Sequence, residues 1–129
     1  MLQLAAGYPK AKAVKGKEIV RKQKITEPYM EQIMIKLRKA GWVITERGCC
    51  GGYRLNAAPS QVSILNLIEL FEGPLELVSC CSKEECKRMT SCQMKLPWLM
   101  LAESFKEKAA EMTLDKIIEL NSEIKEYII

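Results

Sequence analysis

Thiols are the chemically capable groups of this chain. It has six cysteines among 129 residues and no histidine. Four of the six fall in one stretch of charged and small residues, "SCCSKEECKRMTSC" at 79–92, where Cys80, Cys86 and Cys92 are each separated by five intervening residues. That spacing is more open than a CxxC zinc knuckle, and a flexible polar loop lets the three converge on one centre. Thiolates are soft ligands suited to iron–sulfur clusters and to zinc. In a reducing compartment such a group reads as metal-binding or redox-sensing, not as structural disulfides. Three readings stay open on the residues alone: a cluster, a zinc site, and a metal-free thiol set. Cys81 adjoins Cys80 and is the alternative first ligand; Glu84, Glu85 or a second subunit are candidate sources of a fourth donor. The other pair, Cys49 and Cys50, lies in a Gly-rich segment away from the loop. A disulfide between neighbours would be strained, so this pair receives no cofactor role. Without histidine no ordinary nucleophile–base pair can be assembled, which makes an enzyme a poor expectation.

The elements that must position this loop follow from periodicity. Net charge is +4, but residues 1–58 hold twelve Lys or Arg against four acids, +8, and the remainder eight against twelve, −4. A basic N-terminal half expects a polyanion as partner. "MLQLAAG" reads as the end of an apolar helix, stopped at Gly7 and Pro9. A basic loop follows, then a short helix over 15–23 with Ile19 and Val20 inward. A second helix over 28–40 carries Tyr29, Ile33, Met34 and Leu37 at helical spacing, with Thr26 as N-cap, Pro28 in the first turn and Gly41 after the last. "WVITERGCCGGYRL" alternates about a Gly-rich centre like two strands of a hairpin.

Ser60 or Ser63 can cap the next helix, in which Ile64, Leu67, Ile68 and Phe71 share a face, ended by Gly73 and Pro74. After the cysteine loop, Pro97 opens a region where Trp98, Leu101, Ala102, Phe105, Ala109 and Met112 form one stripe, and Thr113 caps a last segment. Such a helix needs a second surface to cover it, and another copy of the chain would serve. The fold class expected is mainly α with a small β-hairpin: a winged helix-turn-helix plus a long C-terminal dimerisation helix. The organisation expected is a DNA-binding domain over 1–58, a connecting helix over 59–78, a cysteine loop over 79–96 and a dimerisation region over 97–129. No apolar run approaches the roughly 18 residues of a membrane span, and the N-terminus lacks a secretory pattern, so a cytoplasmic protein with no membrane partner is expected.

"ITEPYMEQIMIKLRKAGWV", "ERGCCGGYRL", a helix ending "LFEGPL", three spaced cysteines and then "LPW" together closely resemble the Rrf2 family of bacterial transcription regulators. The likeness covers nearly the whole chain. It implies a dimeric winged-helix regulator with an iron–sulfur cluster, [2Fe–2S] or [4Fe–4S], held at Cys80, Cys86 and Cys92 before the dimerisation helix. It implies sensing of iron–sulfur, redox or nitric oxide status. The alternative within the same family is a cluster-free regulator answering to thiol oxidation or a protein partner. Two departures stand out. The branch that represses cluster biogenesis has a histidine ligand three residues after the last cysteine, where this chain has Lys95. The nitric-oxide branch takes a carboxylate from near the partner's N-terminus, and this sequence begins inside what resembles the first family helix, N-terminally short of that position.

For double-stranded DNA, the second helix of the motif enters the major groove with its first turns at the base edges. Glu27, Tyr29, Glu31 and Gln32 occupy those turns; Gln32 can read adenine and Glu31 can accept from cytosine. Arg38 and Lys39 suit phosphates, and Arg47, at the hairpin tip, suits the minor groove or backbone. Tyr29 is expected to pack its ring and present only its hydroxyl.

Overall fold

The computed structural model describes residues 1–10, 12–79, 86–88 and 90–128, the last five by backbone only. Its elements run α1 (Leu2–Ala5), α2 (Gly16–Gln23), α3 (Glu27–Lys39), β1 (Val43–Glu46), β2 (Gly52–Leu55), a 3-10 turn (Pro59–Gln61), α4 (Ile64–Glu72), α5 (Lys95–Glu111) and α6 (Leu114–Ile128). The fold class is the one expected, with six helices and a two-stranded antiparallel hairpin among the described residues. The described residues divide into two compact units, one of residues 1–62 with 113–129, the other of residues 63–112.

The first unit is built on α2 and α3 with the hairpin beside them. Its core is Leu4, Ala5, Ile19, Met30, Met34, Leu37, Val43, Leu55, Val62 and Leu114, all buried. α1 packs on both β2 and α6, so the last helix of the chain closes the core that the first helix opens. A backbone hydrogen bond from the Leu114 N–H to the Val62 carbonyl (3.0 Å) fixes where α6 joins the unit. Thr113 stands just before α6 as expected, but its hydroxyl donates to the Asp115 carboxylate. Asp115 also accepts the Lys116 N–H at 2.9 Å. These bonds hold the Asp115 carboxyl below its ordinary range, the Thr113 hydroxyl contributing most.

In the second unit Ser63, and not Ser60, caps α4. Its hydroxyl oxygen accepts from the Asn66 N–H (3.2 Å), while the Asn66 side chain accepts from the Ser63 N–H (3.1 Å). This reciprocal box satisfies two donors that a helix start otherwise leaves unpaired. α4 packs on α5. α5 begins two residues before Pro97, which costs nothing because first-turn N–H groups have no helical partner in any case. Of the expected stripe, the small residues Ala102 and Ala109 are buried, whereas Leu101 and Phe105 stay 55% and 47% exposed. Leu96, Leu99 and Met100 are exposed as well, so α5 presents apolar surface on more than one side.

Candidate nucleic-acid interface

The turn between α2 and α3 is set by Lys24, whose backbone is left-handed (φ 53°, ψ 42°) and whose N–H returns to the Val20 carbonyl. α3 is then fixed at both ends. At its start the Thr26 hydroxyl oxygen accepts from the Tyr29 N–H at 3.4 Å. At its end Gly41 (φ 78°) donates to the Arg38 carbonyl and Trp42 to the Leu37 carbonyl, at 2.9 and 3.1 Å. This is a Schellman closure, and a side chain at the left-handed position would cost about 1–2 kcal/mol.

α3 buries Met30, Met34 and Leu37. That corrects the expected inward set at one position: Met30 takes the core place given to Tyr29, and Tyr29 is 56% exposed. On a helix the two neighbours lie a hundred degrees apart, so packing of either turns the other out. The opposite face carries Gln32 and Lys39, with Ile35 between them. Glu27, Glu31, Gln32, Arg38 and Lys39 are all exposed. Ile35, absent from the candidate residues, is 49% exposed among these polar neighbours. Only its phase relative to the buried trio distinguishes it from a core isoleucine. On the Met30 side of α3 an open groove of about 270 Å³ is lined by Gly16, Lys17, Glu27, Met30, Glu31 and Tyr53.

The wing pairs Val43 with Leu55, Ile44 with Arg54, Thr45 with Tyr53 and Glu46 with Gly52. It has a further contact that alternation did not reveal. Val14, in the basic loop, exchanges both backbone hydrogen bonds with Tyr53 at 2.8 and 2.9 Å, tying the segment before α2 to β2. Gly52 permits this approach, because a Cβ there would run into the Val14 carbonyl. Across the hairpin Arg54 Nε donates to Glu46 Oε1 at 2.5 Å, which commits that arginine to the wing. Arg47 is exposed at the tip. Beyond it the Cys49 and Cys50 thiols are free and exposed, with their sulfurs 3.7 Å apart.

In the cysteine loop, Cys86 is half-buried and Cys92 exposed, both as free thiols. Cys80, Cys81, Glu84 and Glu85 lie outside the described residues, and among the described residues no three His, Cys, Asp or Glu side chains are grouped as metal ligands. Lys95 is the first residue of α5. Its N–H bonds to the Cys92 carbonyl at 3.4 Å. No helix among the described residues is long and apolar enough to cross a membrane.

Two short helices about a tight turn, followed by a paired wing, define the winged helix-turn-helix class of DNA-binding proteins. The family model for Rrf2, described as an iron-dependent transcriptional regulator, matches residues 1–120, and the chain belongs to that family. An HTH-type transcriptional regulator of Neisseria meningitidis serogroup B is 36% identical over 107 residues, 83% of this chain and 72% of the relative. The IscR regulator of Vibrio vulnificus is 32% identical over 108 residues, 84% of this chain and 64% of the relative, so the chain spans under two thirds of that protein. Among solved structures, CymR, the global cysteine regulator of B. subtilis, superposes with a TM-score of 0.76 at 27% identity, covering 92% of this chain and 87% of that one. T. potens IscR gives 0.74 at 28%, covering 95% and 80%. The chain is a DNA-binding transcriptional regulator, not an enzyme.

Proposed function

We propose that the chain binds operator DNA as a cytoplasmic homodimer and that an iron–sulfur cluster, [2Fe–2S] or [4Fe–4S], ligated by Cys80 or Cys81 with Cys86 and Cys92, sets its DNA affinity. The observation that carries the DNA reading is the outward face of α3. Gln32, Ile35 and Lys39 stand exposed along one side of a helix capped at both ends, within a segment of net charge +8. In this reading Gln32 and Glu31 meet base edges, Ile35 meets a thymine methyl, and Glu27 and Tyr29 line the first turn. Arg38, Lys39 and the tip residue Arg47 take phosphates.

Residues 1–58 then read DNA, 59–78 connect, 79–96 hold the cluster, and 97–129 form the dimerisation region. Within that region α5 is the helix whose exposed leucines, Met100 and Phe105 a second copy would cover.

The donor set fits such a group: at least three soft thiolates in thirteen residues. The chemistry a cluster supplies is a change of charge and ligation under oxidation or nitric oxide. The chain's own contribution lies in Cys92, whose carbonyl accepts the first N–H of α5. Cys92 would be one of the donors holding such a group, and this bond would tie the donor to the first turn of α5, the helix proposed to join the two copies, so that ligation could bias the dimer's DNA affinity. The likeness to CymR favours a second reading, in which the same cysteines act as thiols without a cluster, through oxidation or a protein partner.

Anaerobic purification, followed by a visible spectrum and iron, sulfide and zinc assays per chain, tests this. Coloured protein with iron and sulfide in cluster ratio, lost in Cys86→Ala, and unequal operator affinity of loaded and apo forms at fixed salt are expected. Colourless protein that resists reconstitution overturns the cluster and leaves the thiol reading. Stoichiometric zinc without colour overturns both.

A further inference from the structure

We infer that Cys49 and Cys50 form a second thiol site, a vicinal dithiol at the wing tip that takes a soft thiophilic centre across its two sulfurs and thereby weakens DNA binding. The DNA half of this inference rests on the interface proposed above; the binding half does not.

The geometry comes first. The two sulfurs are 3.7 Å apart, both exposed, in the turn between β1 and β2. Two bonds of about 2.3 Å to one tetrahedral centre, the Zn–S length, set their sulfurs about 3.8 Å apart. The pair therefore already stands at the spacing of two thiolates sharing one ion. A disulfide fits less well, because neighbouring Cα atoms across a trans peptide are about 3.8 Å apart, below the disulfide range. The chemistry selects the occupant. Soft thiolates prefer a d10 ion such as Zn2+ or Cd2+, or a trivalent arsenical, over hard cations. A divalent ion displaces two thiol protons to solvent. An arsenoso group, R–As=O, condenses with both thiols to R–As(SR)2 and one water, with no change of oxidation state.

The surroundings decide the consequence. Arg47 and Gly48 immediately precede the pair in the same turn, and both are exposed. Among the described residues the loop thiols Cys86 and Cys92 belong to the other compact unit, and the site rests on the wing pair's own 3.7 Å spacing. Joining the two sulfurs fixes the tip turn and adds bulk beside the arginine that would approach the backbone.

The test uses the full chain with Cys80, Cys81, Cys86 and Cys92 changed to serine, its fold checked by circular dichroism and thermal midpoint against the parent. One arm adds phenylarsine oxide and reads intact mass; the other titrates Cd2+ and reads thiolate charge-transfer absorption. One equivalent per chain in either arm is expected, absent after adding C49S and C50S, and the arm that loads identifies the source. No loading in either arm, or loading that survives C49S/C50S, overturns the site. Should the four-serine chain misfold, C49S/C50S in the parent must lower arsenical uptake by one equivalent; unchanged uptake overturns the site. Affinity for a random-sequence duplex at low salt is read alongside. A loss of tenfold or more on loading, reversed by a competing dithiol, is expected, and unchanged affinity overturns the coupling. Failure of the unloaded protein to bind duplex would instead refute the interface reading and leave the thiol stoichiometry standing.

Discussion

Removing the Gln32 side chain tests the assignment of α3's two faces most directly. Gln32 is exposed on the helix side opposite Met30, Met34 and Leu37, so Gln32→Ala deletes no packing, and alanine is the better helix former. Unfolding free energy should stay within about 0.5 kcal/mol of the parent. If Gln32 reads a base, the loss on a selected operator is about 1–3 kcal/mol, roughly 5- to 150-fold in Kd. Affinity for random duplex should not move. Lys39→Ala, two turns along the same face, should weaken both DNAs and reduce the slope of log K against log salt by about 0.9. Leu37→Ala, at a site 1% exposed, should cost about 2–5 kcal/mol of stability. The assay is fluorescence anisotropy on an operator enriched from a randomised library, beside random duplex, over a salt series, with urea unfolding of each variant. Equal loss on both DNAs for Gln32→Ala, or a stability loss like that of Leu37→Ala, would refute the assignment of faces.

Three further outcomes follow from local geometry. Gly52→Ala forces a Cβ against the Val14 carbonyl and should cost about 1–3 kcal/mol, seen as a lower urea midpoint; an unchanged midpoint would deny the Val14–Tyr53 pairing. Ser63→Ala removes one half of the α4 capping box and should cost about 1 kcal/mol, whereas Ser60→Ala should cost almost nothing by the same measurement. Asp115 is held below its ordinary range chiefly by the Thr113 hydroxyl. Its stabilisation is therefore present above the unfolded carboxyl pKa and lost as pH falls through the lower folded value. The stability gap between parent and Asp115→Asn should be seen near neutrality and close below about pH 4; a gap independent of pH in thermal melts would count against that hydrogen bond.

The helix-turn-helix and the wing were legible because their signals are local. Thr26, Pro28 and Gly41 mark the two ends of α3 by the chemistry of single residues, and the alternation on either side of the Gly-rich turn gives the hairpin. The family resemblance added the cluster chemistry, which the residues alone left beside zinc and bare thiols. What periodicity could not settle were choices between near neighbours. Tyr29 and Met30 both fit an apolar stripe, and burial chose Met30. Ser60 and Ser63 both fit a cap, and the position of Asn66 chose Ser63.

The sequence by itself determined, then, the order of the helices and the hairpin and the two ends of α3, because capping, turn conformation and amphipathic phase act within a few residues. Tertiary structure alone decided the rest. It brought Val14 onto Tyr53, returned α6 to the core that α1 opens, turned Ile35 outward among polar residues, and set two wing-tip sulfurs 3.7 Å apart. Each of these depends on contacts between groups distant in the chain or on the detailed path of one turn, and a contact of that kind leaves no period in the sequence to read.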